Sequence, residues 1–215
     1  MNARQWTMFR PALGLVMLAA LLILGGAEDD KPETAKIGEK APAFTLTDAN
    51  EQERSLSELS GRIVILEWTN PDCPFVRKHY GPSKSMQKAY RKVKALDKRA
   101  VWLAIDSTFD TSAEKLKFWI KQKKIEYPIL LDLTGEVARK YDARRTPHMF
   151  VIDKKGILRY HGAIDDDPLL TKQEDEITNY VVQAVRQIIN DEVVSPDHVE
   201  PYGCSIKLRQ PPRGG

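Results

Sequence analysis

The stretch Ile63-Val64-Ile65-Leu66-Glu67-Trp68-Thr69-Asn70-Pro71-Asp72-Cys73-Pro74-Phe75-Val76 decides the reading of this chain. Its first six residues are apolar at nearly every position, as expected of a strand covered on both faces of a sheet. Thr69 to Asp72 then break the run, and a helical pattern starts at Pro74, whose fixed φ suits a first helical position. Cys73 is thereby placed at a strand-to-helix turn, where free backbone N–H groups and the helix dipole favour the thiolate. The thiolate is the form that attacks disulfides and peroxides. Asp72 acts against ionisation by like-charge proximity.

Downstream of the turn, a helix is expected from Pro74 to about Asp97, with a kink or break at Gly81-Pro82. Val101 to Ile105 reads as a second buried strand and Ser112 to Lys124 as an amphipathic helix, with Leu116, Trp119 and Ile120 on one face. A short strand at Pro128 to Leu131, a short helix at Gly135 to Tyr141 and a strand at His148 to Ile152 follow. Lys154-Lys155-Gly156 turns that strand into a hairpin with Ile157 to His161. A long closing helix is expected from about Leu170 to Ile189. Upstream, Phe44 to Asp48 alternates like an edge strand, and Ser57 to Gly61 reads as a helical turn ending in glycine. The expected class is α/β, a central mixed sheet flanked by helices.

The N-terminal part reads differently. Arg4 and Arg10 accompany an apolar stretch from Ala12 to Leu24, closed by Gly25-Gly26-Ala27. Those are the parts of a secretory signal peptide at residues 1–27. The apolar core is short for a spanning helix, which needs roughly 20 residues. The alternative is an uncleaved membrane anchor over residues 12–27. Residues 28–36 are charged and aperiodic and read as a tether, followed by a domain at 37–193 and a C-terminal tail at 194–215 carrying Cys204. The implied location is exported, periplasmic or secreted, with a membrane as partner only if the leader stays attached.

Loss of Arg4 and Arg10 takes Lys plus Arg from 33 to 31 against 30 acids, so the net charge falls from +3 to +1. A nearly neutral chain argues against nucleic acid as a partner. Two cysteines, Cys73 and Cys204, in an exported chain allow a disulfide, although a wide sequence separation says nothing about geometry. Cys204 is open to three readings: a resolving partner for Cys73, half of a structural disulfide, or an unpaired thiol.

Three stations carry a family resemblance. The strand, cysteine and helix at Trp68 to Val76 form the first, and Arg145-Thr146-Pro147-His148 ahead of Met149-Phe150-Val151-Ile152-Asp153 the second. The third is Ile37-Gly38-Glu39-Lys40-Ala41-Pro42-Ala43-Phe44-Thr45-Leu46-Thr47-Asp48. Together they resemble the thioredoxin-fold superfamily, in its peroxiredoxin-like or redoxin branch of the alkyl hydroperoxide reductase and thiol-specific antioxidant type. The resemblance implies a cis-proline at Pro147 facing Cys73 across a groove. It implies a catalytic Cys73 with Cys204 as candidate resolving cysteine, and Thr146, Pro147, Trp68 and Pro74 as substrate-binding residues.

The departures matter as much. Val76 stands where C-x-x-C thioredoxins carry the resolving cysteine. Asn70 and Leu66 stand where peroxiredoxins carry a threonine and a proline, three and seven residues before their cysteine. The expected function is an exported thiol oxidoreductase of antioxidant, peroxiredoxin-like character, acting on disulfides or hydroperoxides with a thiol/disulfide protein or small-molecule redox partner. It needs no metal or organic cofactor. The alternatives are a redox-inactive binding domain with a structural disulfide, and a copper-handling protein using Cys73 with His148 or Cys204. His79, six residues after Cys73, is expected to point away from the thiol along a regular helix, and His148 to be an ordinary strand residue.

Overall fold

A computed structural model describes residues 34–169 and 171–208; the leader and most of the expected tether lie outside them. Ten short strands are described: β1 (Thr45–Asp48), β2 (Glu53–Ser55), β3 (Val64–Trp68), β4 (Val101–Asp106), β5 (Ile129–Leu131), β6 (Arg145–Thr146), β7 (His148–Ile152), β8 (Leu158–Gly162), β9 (His198–Val199) and β10 (Cys204–Ser205). Five α-helices accompany them: α1 (Pro74–His79), α2 (Ser85–Leu96), α3 (Ala113–Lys123), α4 (Glu136–Lys140) and α5 (Tyr180–Ile189). Eight strands form one mixed sheet in the order β2-β1-β5-β4-β3-β7-β8-β9, and β10 pairs with β6 in a separate ribbon.

At the centre, β3 runs parallel to β4 and antiparallel to β7, with Trp68 opposite Ile105 on one side and His148 on the other. Every residue of β3 is buried, as its composition demands. Alternation along the strand divides the core in two. Leu66 and Trp68 join the aromatic cluster of Tyr141 and Phe150 on the α4 side. Ile65 joins the cluster on the other face, which contains Cys73 together with side chains of α1, α2, α3 and α5. Each large apolar side chain so buried contributes about 1.5–3 kcal/mol.

Three local outcomes bear on the sequence expectation, the first and third against it. The alternating segment at 44–48 is not an edge: β1 lies between β2 and β5, and the edge falls to β2. The helix after Cys73 breaks at Gly81-Pro82, one of the two outcomes expected there. Pro82 has no N–H to continue it, and the Ser83 hydroxyl donates to the Lys78 carbonyl at 3.0 Å, closing α1 before α2 begins at Ser85.

The third concerns the closing helix, which starts at Tyr180 and not near Leu170. Carboxylates compete for the backbone ahead of it. Asp167 accepts from the Thr171 and Lys172 amides, Asp166 from the Thr178 amide at 3.0 Å, and the Asn179 side chain caps Val182 at 2.9 Å. The apolar period seen at Ile177 therefore belongs to a loop.

Of the C-terminal tail expected at 194–215, residues 194–208 are described and pack onto the domain. Val194 is buried in the core, and β9 extends the sheet parallel to β8. A Cβ at Gly162 (φ +143°) would meet the Val199 carbonyl oxygen, so the missing side chain is what lets β9 approach. From β9 the chain crosses to the ribbon with β6, as a strap over the end of the sheet.

Candidate active site

Cys73 is the N-cap of α1, with extended backbone (φ −72°, ψ 122°), and Pro74 is the first helical residue. Its amide donates to the Asn70 carbonyl at 3.0 Å, which ties the turn after β3. The Asn70 side chain is occupied locally, accepting from the Asp72 amide at 2.7 Å. The Cys73 thiol is 2 % exposed and donates to the Thr146 carbonyl at 3.0 Å. Through that contact the loop between β6 and β7 faces the head of α1. The Thr146–Pro147 peptide bond within it is cis.

The strap delivers the second thiol to the same place. β10 pairs antiparallel with β6, Cys204 opposite Thr146 and Ser205 opposite Arg145. The Cys204 thiol lies close enough to Cys73 for each to shift the other's acidity. Both are free thiols. Gly203 makes the approach feasible: its φ is +118°, and a Cβ there would collide with the Thr146 carbonyl oxygen.

The two thiols differ in acidity. Burial opposes ionisation of Cys73, but hydrogen bonds from the Thr146 and Cys204 side chains and from the Val76 and Cys204 backbone outweigh it, leaving the thiol below its usual range. Burial pushes Cys204 up to about 11, and the hydrogen bond and charge of Cys73 push the same way, against Lys207 and Arg145. Cys73 is therefore the more acidic of the two thiols. Asp72 does little to oppose this. Its carboxylate is held by Lys115 at 2.6 Å and Arg77 at 3.2 Å, and the Lys115 contact is the main reason its acidity is raised.

The remaining expected site residues are placed unevenly. Thr146 and Pro147 are buried beside the thiols, while Pro74 is exposed at the helix head. Trp68 is 0 % exposed and packs on Tyr141 and Phe150 in the cluster that does not contain Cys73, with its indole N–H donated to Ser107 at 3.0 Å. An indole so enclosed has no face to offer a substrate. Val76 fills the core and contributes only its backbone to Cys73. His148 is buried at the start of β7 with its pKa pushed down to about 3, first by burial and then by His161 and His198. Its Nε2 faces His161 at 3.4 Å. No cluster of three or more His, Cys, Asp or Glu among the described residues has the arrangement of a metal site.

Two groups without a role in the sequence expectation stand out. Glu67 is fully buried, accepting from Tyr80 at 2.7 Å and from Tyr127 and Trp102 at 3.0 Å each, and burial holds its carboxyl above the usual range. A carboxylate inside the otherwise apolar run 63–68 was the available signal. Tyr202, two residues before Cys204, donates to Asp165 at 2.5 Å and meets His79 Nε2 at 3.0 Å. His79 accordingly does not sit idle on the outside of a helix. It is 1 % exposed and meets the strap.

Comparison with known proteins bears on family and fold. Residues 37–161 match the AhpC/TSA family. Thiol-disulfide oxidoreductase ResA of Bacillus cereus (strain ATCC 10987 / NRS 248) is 29 % identical over 150 residues, covering 66 % of this chain and 83 % of its own length. A hypothetical protein of Sinorhizobium meliloti 1021 superposes with a TM-score of 0.71 at 25 % identity, over 82 % of this chain and 96 % of its own. Peroxidoxin BcpB of Mycobacterium tuberculosis superposes with a TM-score of 0.51 at 19 % identity, over 72 % and 98 %, a likeness of fold. With its thioredoxin-like architecture, the chain belongs to the AhpC/TSA family.

Proposed function

We propose that this protein is a thiol-disulfide oxidoreductase in which Cys73 attacks and Cys204 resolves. The observation that carries the reading is the convergence of both cysteines on Thr146, whose carbonyl accepts the Cys73 thiol and which stands opposite Cys204 in the β10–β6 ladder; their acidities are also pushed in opposite directions. With a disulfide RSSR as oxidant, the Cys73 thiolate forms a Cys73–S–S–R bond and expels RS⁻, which takes up a proton. Cys204 then gives its proton to solvent, attacks the Cys73 sulfur and expels the second RS⁻, which is protonated in turn. The balance is one RSSR and two protein thiols converted to one protein disulfide and two RSH. The cycle runs in reverse against a reducing partner. The missing second cysteine of C-x-x-C is thus replaced from the far end of the chain.

Disulfides are favoured over hydroperoxides because no threonine stands three residues before Cys73. Asn70 occupies that position, and its side-chain oxygen is spent on the Asp72 amide. Export, by the leader at residues 1–27, is part of the same reading, since a disulfide carrier works where disulfides persist.

The test is oxidised glutathione added to the reduced protein, followed by acid quench and a non-reducing peptide map. The expected products are a Cys73–Cys204 disulfide and two glutathione molecules. Cys204→Ser should stop at the Cys73–glutathione mixed disulfide. A free Cys73 after treatment, or an active Cys73→Ser variant, overturns the reading.

A further inference from the structure

We propose that Tyr202 is the positioning residue that holds Cys204 against Cys73. The inference rests on the reading of Cys204 as the resolving thiol. Past Cys204 the strap is held by the two-pair ladder of β10 with β6, by the Ile206 amide donating to the Arg144 carbonyl and by the Phe109 amide donating to the Lys207 carbonyl. A strand that short is not stable by itself. On the other side of Cys204, toward β9, a side-chain contact holds the strap.

Tyr202 is that contact. Its hydroxyl reaches Asp165, in the segment after β8, and His79 at the last residue of α1. Its ring stacks on His79 at 5.8 Å and lies 6.1 Å from Phe75. Phe75 and His79 belong to the helix that Cys73 heads, so the anchor and the nucleophile share one rigid element. His79 is fixed from its other side by the Ser85 hydroxyl at 2.5 Å. From the anchor, Gly203 turns the chain and Cys204 follows. Anchor, turn and thiol are consecutive residues, and little slack remains between Tyr202 and the sulfur.

The consequence is kinetic and thermodynamic at one step. Resolution is intramolecular, so its rate and equilibrium scale with the effective concentration of Cys204 at the Cys73 sulfur. Removing the Tyr202 hydroxyl leaves the Asp165 carboxylate without its donor and His79 Nε2 without its partner, both buried, and weakens the seat. The first attack, by Cys73 on an external disulfide, uses none of these groups.

The experiment uses the full chain, reduced, with oxidised glutathione as oxidant. Two quantities are read: the rate at which the Cys73–glutathione mixed disulfide converts to Cys73–Cys204, and the equilibrium of that pair against glutathione. Tyr202→Phe is expected to lower both by about fivefold or more, and Tyr202→Ala by a larger factor. Asp165→Asn keeps an acceptor for the hydroxyl and is expected to stay within about twofold of wild type, whereas Asp165→Ala should behave like Tyr202→Phe.

Cys73 alkylation by iodoacetamide, measured in a Cys204→Ser background, should not differ with or without Tyr202→Phe. Unchanged closure in both Tyr202 variants overturns the proposal. So does an equal fall in Cys73 alkylation, which would mean damage to the Cys73 pocket. A wild-type protein that closes no Cys73–Cys204 disulfide overturns the functional reading together with this one. Closure that proceeds equally well in all variants overturns this one alone.

Discussion

Cys204 lies opposite Thr146 in the β10–β6 ladder, and the Thr146 carbonyl is the acceptor of the Cys73 thiol. One residue thus supplies the backbone edge for one sulfur and the hydrogen-bond acceptor for the other. Their acidities differ because the hydrogen bonds to Cys73 outweigh its burial, whereas at Cys204 burial and the charge of its neighbour act together.

That inequality depends in part on Cys204 as a partner. In Cys204→Ala the donor is removed, and the ionisation midpoint of Cys73, followed by thiolate absorbance, is expected to rise relative to wild type. A midpoint that falls or stays put would show that Thr146 and the helix head act without help.

Gly203→Ala places a methyl group against the Thr146 oxygen, at a φ of +118°. The strap is expected to lift off β6 and not to distort the sheet. Disulfide closure by oxidised glutathione should slow at least about tenfold, with the central fold intact by circular dichroism, since strain of this kind costs about 1–3 kcal/mol before the clash is counted. Closure at the wild-type rate would count against the strap geometry.

Acid should destabilise the protein through its buried histidines. Burial lowers His79 from 6.5 to about 4 and His148 to about 3, so the unfolded chain binds more protons than the folded one below pH 6.5. The stability they contribute is present above pH 6.5 and is lost as the pH falls toward 4 and then 3. For His79 the full loss is about 3 kcal/mol, because each tenfold fall in proton affinity is worth about 1.4 kcal/mol. Denaturant melts between pH 7 and 4 should show this limb, and His79→Gln should flatten part of it. A variant with the wild-type slope would exclude His79 as a source.

Glu67 has the opposite sign. Burial raises its carboxyl above 4.5, so the stability that comes from its neutral form is complete below pH 4.5 and is lost as the pH rises through the raised value. Glu67→Gln can still accept from Trp102 and Tyr127 and donate to Tyr80. Its stability relative to wild type is therefore expected to improve with rising pH, measured by paired melts at pH 4 and 8. A difference independent of pH would mean that Glu67 keeps its charge state throughout.

Much of the central layer was legible in the chain. The run 63–68, the turn to Cys73 and the strand at 148–152 are local signals: apolar content, a helix-compatible proline and period-two patterning act within a few residues. The delayed start of α5 was not, because Asp166 and Asp167 capture backbone amides up to 12 residues away, and propensity over the helix window carries no trace of that competition. The position of β1 inside the sheet was missed for a related reason. Its second neighbour, β5, comes from a segment more than 80 residues later.

By itself, the sequence determined that a thiol stands at a strand-to-helix turn of an α/β domain and that its C-x-x-C partner is absent, since both follow from residue types at fixed short spacings. Only the tertiary structure decided where the second thiol goes. That depends on glycines at 162 and 203 admitting close backbone approach, and on Tyr202 finding His79 and Asp165. Contacts between segments so far apart form when the chain closes on itself, and no local pattern encodes them.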